Sequence, residues 1–222
     1  MEKNIFASLP LAEQAKQLRN PEGKTGLAVA QWLNGTNRQA NLRAIQLLGL
    51  ETGHHVLEIG FGNGRTVPDV LAQADGVRYA GIDISTTMVE DAIRFNAASV
   101  AAGRASFQLG SAERMPFADA SFDRVFSMGV IHFWADAAGP LAEVRRVLRP
   151  GGVSQMTCLY PRNAADFARP EYGFHLRDDT EWNALHRAAG FSEVHSQIVG
   201  FEATDSEGRS TTRYGIFVTS RA

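Results

Sequence analysis

Three glycines at alternate positions, Gly60, Gly62 and Gly64, follow a short apolar run, Val56-Leu57-Glu58-Ile59, that carries one acid two residues ahead of the first glycine. Alternate glycines let a backbone bend sharply and let a ligand come close, because no Cβ stands in the way. A bend of this kind between a strand and a helix, at the C-terminal edge of a parallel sheet, is where open α/β folds bind nucleotides. The spacing is G-x-G-x-G, and Arg65 occupies the place of the third glycine in the dinucleotide fingerprint. An acid at Glu58 repels phosphate and can attract an ammonium group, directly or through water. Together these features point away from a pyrophosphate and towards a nucleoside with a cationic amino-acid tail.

Other side chains extend that chemistry. Asp83 ends a second apolar run, Val77-Arg78-Tyr79-Ala80-Gly81-Ile82, and an acid there can accept both hydroxyls of a ribose. The competing role is a helix N-cap, which Ser85 suits better. Met88, one turn on, fits either an adenine face or the core. In Ser111-Ala112, a short polar side chain followed by a free backbone N–H can read an adenine edge, or form an ordinary loop. His132, just beyond the fourth apolar run, is the best-placed general base if the substrate must lose a proton. It is followed by Phe133 and Trp134, and its alternative role is packing. His175 and His186 are weaker candidates. Trp134, Phe167, Tyr172 and Phe174 form either an apolar acceptor wall or simple core.

The elements that must position these residues follow from periodicity. Residues 9–19 and 26–49 read as helical, with a break at Asn34-Gly35. From residue 54 onward strands (55–60, 77–82, 104–109, 122–128, 152–159) alternate with helices (64–75, 86–102, 136–148). That order predicts a parallel sheet covered on both faces. Pro150-Gly151-Gly152 is expected to stop the third of these helices. A helix over 178–189 ends at Gly190, and strands at 192–200 and 213–220 read as an antiparallel finish. The chain is expected to be a single domain over 1–222, with 1–50 a helical cap and 51–222 the core.

Bulk properties narrow the function. The 222 residues are 44% hydrophobic and 21% charged, with a net charge of −2, so no basic excess exists to grip nucleic acid. No apolar run reaches membrane-spanning length, and the N-terminal residues lack a signal-peptide pattern, so a cytoplasmic location and no membrane partner are expected. The single cysteine, Cys158, excludes an intramolecular disulfide and a cysteine-cluster metal site, and its apolar setting suits burial. No metal is expected.

The segments VLEIGFGNG, GIDIS, GSAERMPF, FDRVFSMGVIHFW and EVRRVLRPGG, in this order over residues 56–152, resemble the class I S-adenosylmethionine-dependent methyltransferases of the UbiE/type-11 kind. The resemblance implies an α/β, Rossmann-like, doubly wound sheet of seven strands, mostly parallel with the last strand antiparallel, plus N-terminal helices. It implies S-adenosylmethionine as cofactor and a small organic molecule as methyl acceptor. Glu58, Gly60, Phe61, Gly62 and Gly64 would line its methionine part. Asp83 would hold the ribose, Ile84 would pack on adenine, Ser111 and Ala112 would sit at the adenine edge, and Met128 would lie beside the sulfonium. Relatives usually carry Asp where this chain has Ser111, which removes a charge-assisted hydrogen bond. The rival readings are an NAD-type oxidoreductase, opposed by Arg65 and Glu58, and a non-catalytic adenosyl-binding module.

Overall fold

The computed structural model describes residues 5–163, 165, 168–204 and 210–222. Three helices, α1 (Leu11–Arg19), α2 (Gly23–Thr36) and α3 (Arg38–Leu47), precede the sheet. The break expected at Asn34-Gly35 falls instead at Asn37, whose φ of −100° and ψ of 4° leave helical space. The alternating section comprises β1 (His55–Ile59), α4 (Val67–Leu71), β2 (Arg78–Asp83), α5 (Thr86–Phe95), α6 (Ala97–Ala101), β3 (Ala105–Leu109), β4 (Phe122–Met128), α7 (Ala138–Val147) and β5 (Leu148–Leu159). α8 (Asp179–Ala188), β6 (Ser192–Thr204) and β7 (Ser210–Arg221) finish the chain. No helix among the described residues is long and apolar enough to cross a membrane.

The seven strands lie in the order β3-β2-β1-β4-β5-β7-β6. β1 to β5 pair in parallel, and β7 is antiparallel to both β5 and β6. β1 is flanked by β2 on one side and β4 on the other, so strand order reverses there. The crevice outside the C-terminal ends of such strands is where open α/β sheets bind ligands.

Alternation along β1 assigns its side chains to two layers. Leu57 and Ile59 face the layer of Leu141, Val144, Met156 and Trp182. Val56 faces the layer of Ile45, Val70, Tyr79 and Phe126. Glu58, two residues after Val56, therefore points an acid into the second apolar layer.

Three further helix boundaries differ from the sequence pattern, each for a local reason. The helix expected over 64–75 shrinks to α4. The Gly64 amide turns back to the Phe61 carbonyl, and at the far end the Gln73 amide bonds Val70, an i−3 contact that tightens the last turn. The helix expected over 86–102 breaks at Asn96, whose side-chain amide donates to the Ala92 and Gly64 carbonyls, both at 3.0 Å. The helix α7 ends at Val147, before the Pro-Gly-Gly stop. Leu148 is already extended (φ −73°, ψ 139°) and pairs with Phe122, in keeping with the bias of residues near proline against helix.

Candidate active site

The bend after β1 is built on three left-handed glycines, with φ of +71° at Gly60, +57° at Gly62 and +68° at Gly64. Their surroundings differ. A Cβ on Gly60 would stand 2.3 Å from Cγ2 of Val130, so the bend touches the chain leaving β4. A Cβ on Gly64 would stand 2.8 Å from both Ala92 Cβ and Asn96 Nδ2, so this glycine packs the bend on α5. A Cβ on Gly62 would meet nothing within 4 Å. Gly62 is thus the point of the bend that faces open space.

Asp83 fixes the bend from the neighbouring strand. Its Oδ2 accepts the Gly62 amide at 2.9 Å, and its Oδ1 accepts the Ser85 amide at 2.9 Å. Burial pushes its pKa up to about 6 against the pull of these N–H groups. Ser85 takes the helix-capping role, accepting the Met88 amide at 3.2 Å, so Asp83 is released from that duty. The Ser85 hydroxyl also donates to the Pro21 carbonyl, and the Gly23 amide donates to Thr87 at 3.1 Å, which ties the start of α2 to this turn.

Glu58 lies beneath the bend and is 2% exposed. Its Oε2 accepts the Tyr79 hydroxyl at 2.7 Å and the Thr66 hydroxyl at 3.2 Å. Burial raises its pKa to about 7, the two hydrogen bonds oppose that rise, and the Asp83 charge adds to it. Ile84 and Leu109 stand exposed, at 47% and 55%, at the ends of β2 and β3. The Ser111 hydroxyl accepts the Glu113 amide at 3.2 Å, and the Ala112 methyl is buried. Met128 is half-buried at the end of β4. Glu58, the three glycines, Asp83, Ile84, Ser111, Ala112 and Met128 thus all fall on the C-terminal edge of adjacent strands.

Three expected side chains have a different place. Met88 is fully buried on the core face of α5, which favours the core of its two expected roles. The exposed apolar side chains at that edge are instead Ile84 and Leu109; the register pairs Leu109 with Asp83, a signal legible as an apolar residue ending a strand. The Phe61 ring packs in the core against Phe107, so only its backbone belongs to the bend. His132 is 4% exposed, stacked on Phe174 at 5.2 Å and beside Phe133 at 4.4 Å. Burial lowers its pKa to about 3, so it is a neutral ring in an aromatic stack, which suits packing rather than proton abstraction.

Of the expected acceptor wall, Phe174 and Tyr172 join Phe133, Leu159 and Ala15 in a small apolar cluster next to the ends of β4 and β5. Trp134 packs instead against the main core. Phe167 lies outside the described residues. Cys158 is buried in the core, where loss of water pushes its thiol up to about 12. A cleft of about 710 Å³ opens on the α2 and α3 side of the bend, lined among others by Leu27, Gln31, Asn34, Asn63 and Thr66. It adjoins the Gly62 bend rather than the Asp83–Ser111 edge.

S-adenosylmethionine, which the sequence resemblance implies, can be tested against these groups. A nucleoside with a cationic tail needs open backbone at the bend, a carboxylate for its sugar, apolar surface for its base and negative charge for its ammonium. Gly62, Asp83, the exposed Ile84 and Glu58 supply groups of these kinds in turn, so the residues present fit.

The comparisons with known proteins agree. Residues 57–155 match the family model "Methyltransferase domain". The chain is 30% identical over 166 residues to "Uncharacterized methyltransferase YdaC" of Bacillus subtilis (strain 168), covering 73% of this chain and 84% of that protein. It is 36% identical over 104 residues to "O-methyltransferase resE" of Aspergillus sclerotiorum, covering 47% of this chain but only 39% of that longer protein. In fold it superposes on Haemonchus contortus phosphoethanolamine N-methyltransferase 2 in complex with S-adenosyl-L-methionine, with a TM-score of 0.74 at 17% identity, covering 96% of this chain and 60% of that one.

Proposed function

Since the chain belongs to the class I S-adenosylmethionine-dependent methyltransferases, we propose that it methylates a small organic molecule by in-line displacement at the C-terminal edge of its sheet. The observation that carries this reading is the Gly62 bend, open above its backbone and held to the Asp83 carboxylate by a 2.9 Å hydrogen bond.

Bound S-adenosylmethionine supplies a methyl group already activated by its sulfonium. The protein's task is then orientation and exclusion of water, which can account for much of a rate enhancement. The bend presents bare backbone, and Asp83 keeps lone pairs free for ribose hydroxyls after taking its two amides. Ile84 and Leu109 offer apolar surface to the base. Val130, in contact with Gly60, brings the end of β4 against the bend, so an acceptor held there lies beside the cofactor's reactive end. The cluster of Phe133, Phe174, Tyr172 and Leu159, closed over by Ala15 and Leu18 of α1, gives that side an apolar wall suited to an organic acceptor. His132 serves the wall as a neutral ring. An acceptor that is already nucleophilic needs no base.

Calorimetric titration with S-adenosylmethionine, S-adenosylhomocysteine and NAD tests the cofactor assignment, and binding of NAD alone would overturn it. Incubation with tritium-labelled cofactor and a small-metabolite extract should move label into a low-molecular-weight product. Tight cofactor binding without any transfer would favour a non-catalytic adenosyl-binding module.

A further inference from the structure

Glu58 departs from the pattern of its layer. It is an acid among apolar side chains, 2% exposed, and both of its hydrogen bonds arrive at one oxygen. Tyr79 reaches Oε2 from β2, and Thr66 reaches it from the turn that follows the glycine bend. Oε1 has no hydrogen-bond partner among the described residues and keeps some solvent access. One carboxylate oxygen is thus claimed twice, and the other keeps its acceptor capacity free.

Building on the cofactor-binding reading above, we propose that Tyr79 and Thr66 are positioning residues that hold Glu58 ionised, with Oε1 aimed at the ammonium of the cofactor's amino-acid tail. Neither residue touches the ligand. Both act through Glu58. The two donors favour the charged form, because a hydroxyl hydrogen bond to an anion is stronger than one to the neutral acid. Tyr79 is itself held rigidly: its ring packs on Phe107 at 5.7 Å, and its hydroxyl lies 3.0 Å from where a Cβ of Gly81 would stand.

The charged and titratable groups around Glu58 are few. Tyr79 and Asp83 belong to β2, and the neutral Thr66 belongs to the turn. Phe126 of β4, opposite Glu58 in the register, is apolar. With burial holding the Glu58 pKa near 7, the acid must lose its proton as a cationic ligand binds below neutrality. Affinity for a ligand that carries the ammonium therefore rises with pH and levels off once Glu58 is ionised. Asp83 titrates lower, near 6, and acts on the sugar. A ligand with the sugar and no amino-acid tail reports Asp83 alone.

The test compares S-adenosylhomocysteine with 5′-methylthioadenosine, which shares the nucleoside but lacks the ammonium. Dissociation constants are measured by calorimetry from pH 5.5 to 8 for the wild type and for Tyr79→Phe. In the wild type the ratio of the two affinities should grow about tenfold per pH unit below the midpoint. In Tyr79→Phe the midpoint should move up, weakening S-adenosylhomocysteine about fivefold at pH 7 with 5′-methylthioadenosine unchanged. A merely structural role for Tyr79 would lower the melting temperature and weaken both ligands together, and that result overturns the proposal. So does a constant affinity ratio across the pH range. Should Tyr79→Phe not fold, Thr66→Val removes the other donor and carries the same expectation. Failure of both ligands to bind at any pH would refute the cofactor reading itself, whereas equal pH dependence of two bound ligands refutes only the positioning role.

Discussion

Gly62 and Gly64 are two residues apart with nearly the same backbone, and alanine should affect them in opposite ways. At Gly62, φ is +57° and a Cβ meets nothing within 4 Å, so the only structural cost is the left-handed conformation. That cost is about 1–2 kcal/mol for an L-residue. In a chain of this length it corresponds to a fall of roughly 2–8 °C in melting temperature. At Gly64 the same strain is joined by approaches of 2.8 Å to Ala92 Cβ and Asn96 Nδ2. Overpacking of that kind adds about 1–3 kcal/mol, because α5 must shift. Gly64→Ala should therefore be the less stable variant. Ligand binding should rank the other way. The new methyl at 62 fills the space from which a ligand would reach the backbone, and S-adenosylhomocysteine affinity should fall at least about tenfold, near 1.4 kcal/mol. Thermal denaturation with and without S-adenosylhomocysteine, followed by calorimetry on the folded variants, separates the two effects. If Gly62→Ala keeps wild-type affinity, the open face of the bend holds no ligand and the site lies elsewhere.

Asp83→Asn keeps the size of the side chain but loses the negative charge, and should weaken both S-adenosylhomocysteine and 5′-methylthioadenosine by about 1–3 kcal/mol in calorimetry; unchanged affinity would remove Asp83 from the sugar site. The ligand-free protein should lose stability as pH rises: Asp83 and Glu58 have folded pKa values raised to about 6 and about 7, so their contribution is complete below the ordinary carboxylate range and is lost through those values. Urea midpoints between pH 5 and 8 should fall accordingly, and Glu58→Gln should flatten the upper half of that curve; a midpoint that climbs steadily to pH 8 contradicts the burial argument. His132→Phe should leave the shape of the kcat/KM profile between pH 5 and 8 unchanged, since burial lowers the ring's pKa to about 3; loss of an acid-side limb in that variant would restore His132 as a base.

That the candidate cofactor residues would gather at one sheet edge was legible in the sequence because they lie in contiguous segments. Gly60, Gly62, Gly64 and Glu58 lie within seven residues, Asp83 ends the next strand, and each strand end is punctuated by a glycine or a polar turn. Parallel strands in register then carry these short segments to one edge without further information. Asn96 and Thr66 were missed for the opposite reason. Asn96 reads as an unremarkable residue in an Ala-rich helix, and only its hydrogen bond to the Gly64 carbonyl shows that it braces the bend. Thr66 reads as a helix residue until Glu58, eight positions earlier, is seen beneath it.

The acceptor side was less legible because it is assembled from remote pieces. Ala15 and Leu18 come from α1, Phe133 from the turn after β4, Leu159 from β5, and Tyr172 and Phe174 from the stretch that follows. None of these has a partner at fixed spacing, and an aromatic residue in a loop serves a core as readily as a pocket. Met88 and His132 show the same ambiguity from the other direction. Each is a residue type suited to a ligand, at a plausible distance along the chain, and each is turned inward by the helix or stack it belongs to. Exposure distinguishes the cases. At the cofactor edge the apolar side chains left in water are Ile84 and Leu109, on neighbouring strands, and leaving both uncovered is unfavourable by roughly 25 cal/mol for each Å² that a flat base would bury. Ile84 and Leu109, beside a carboxylate hydrogen-bonded to an open bend, offer the apolar and polar groups that the proposed nucleoside would use. The apolar cluster beyond β4 would suit an organic surface of many shapes, so under the proposed function the acceptor is less sharply defined than the cofactor.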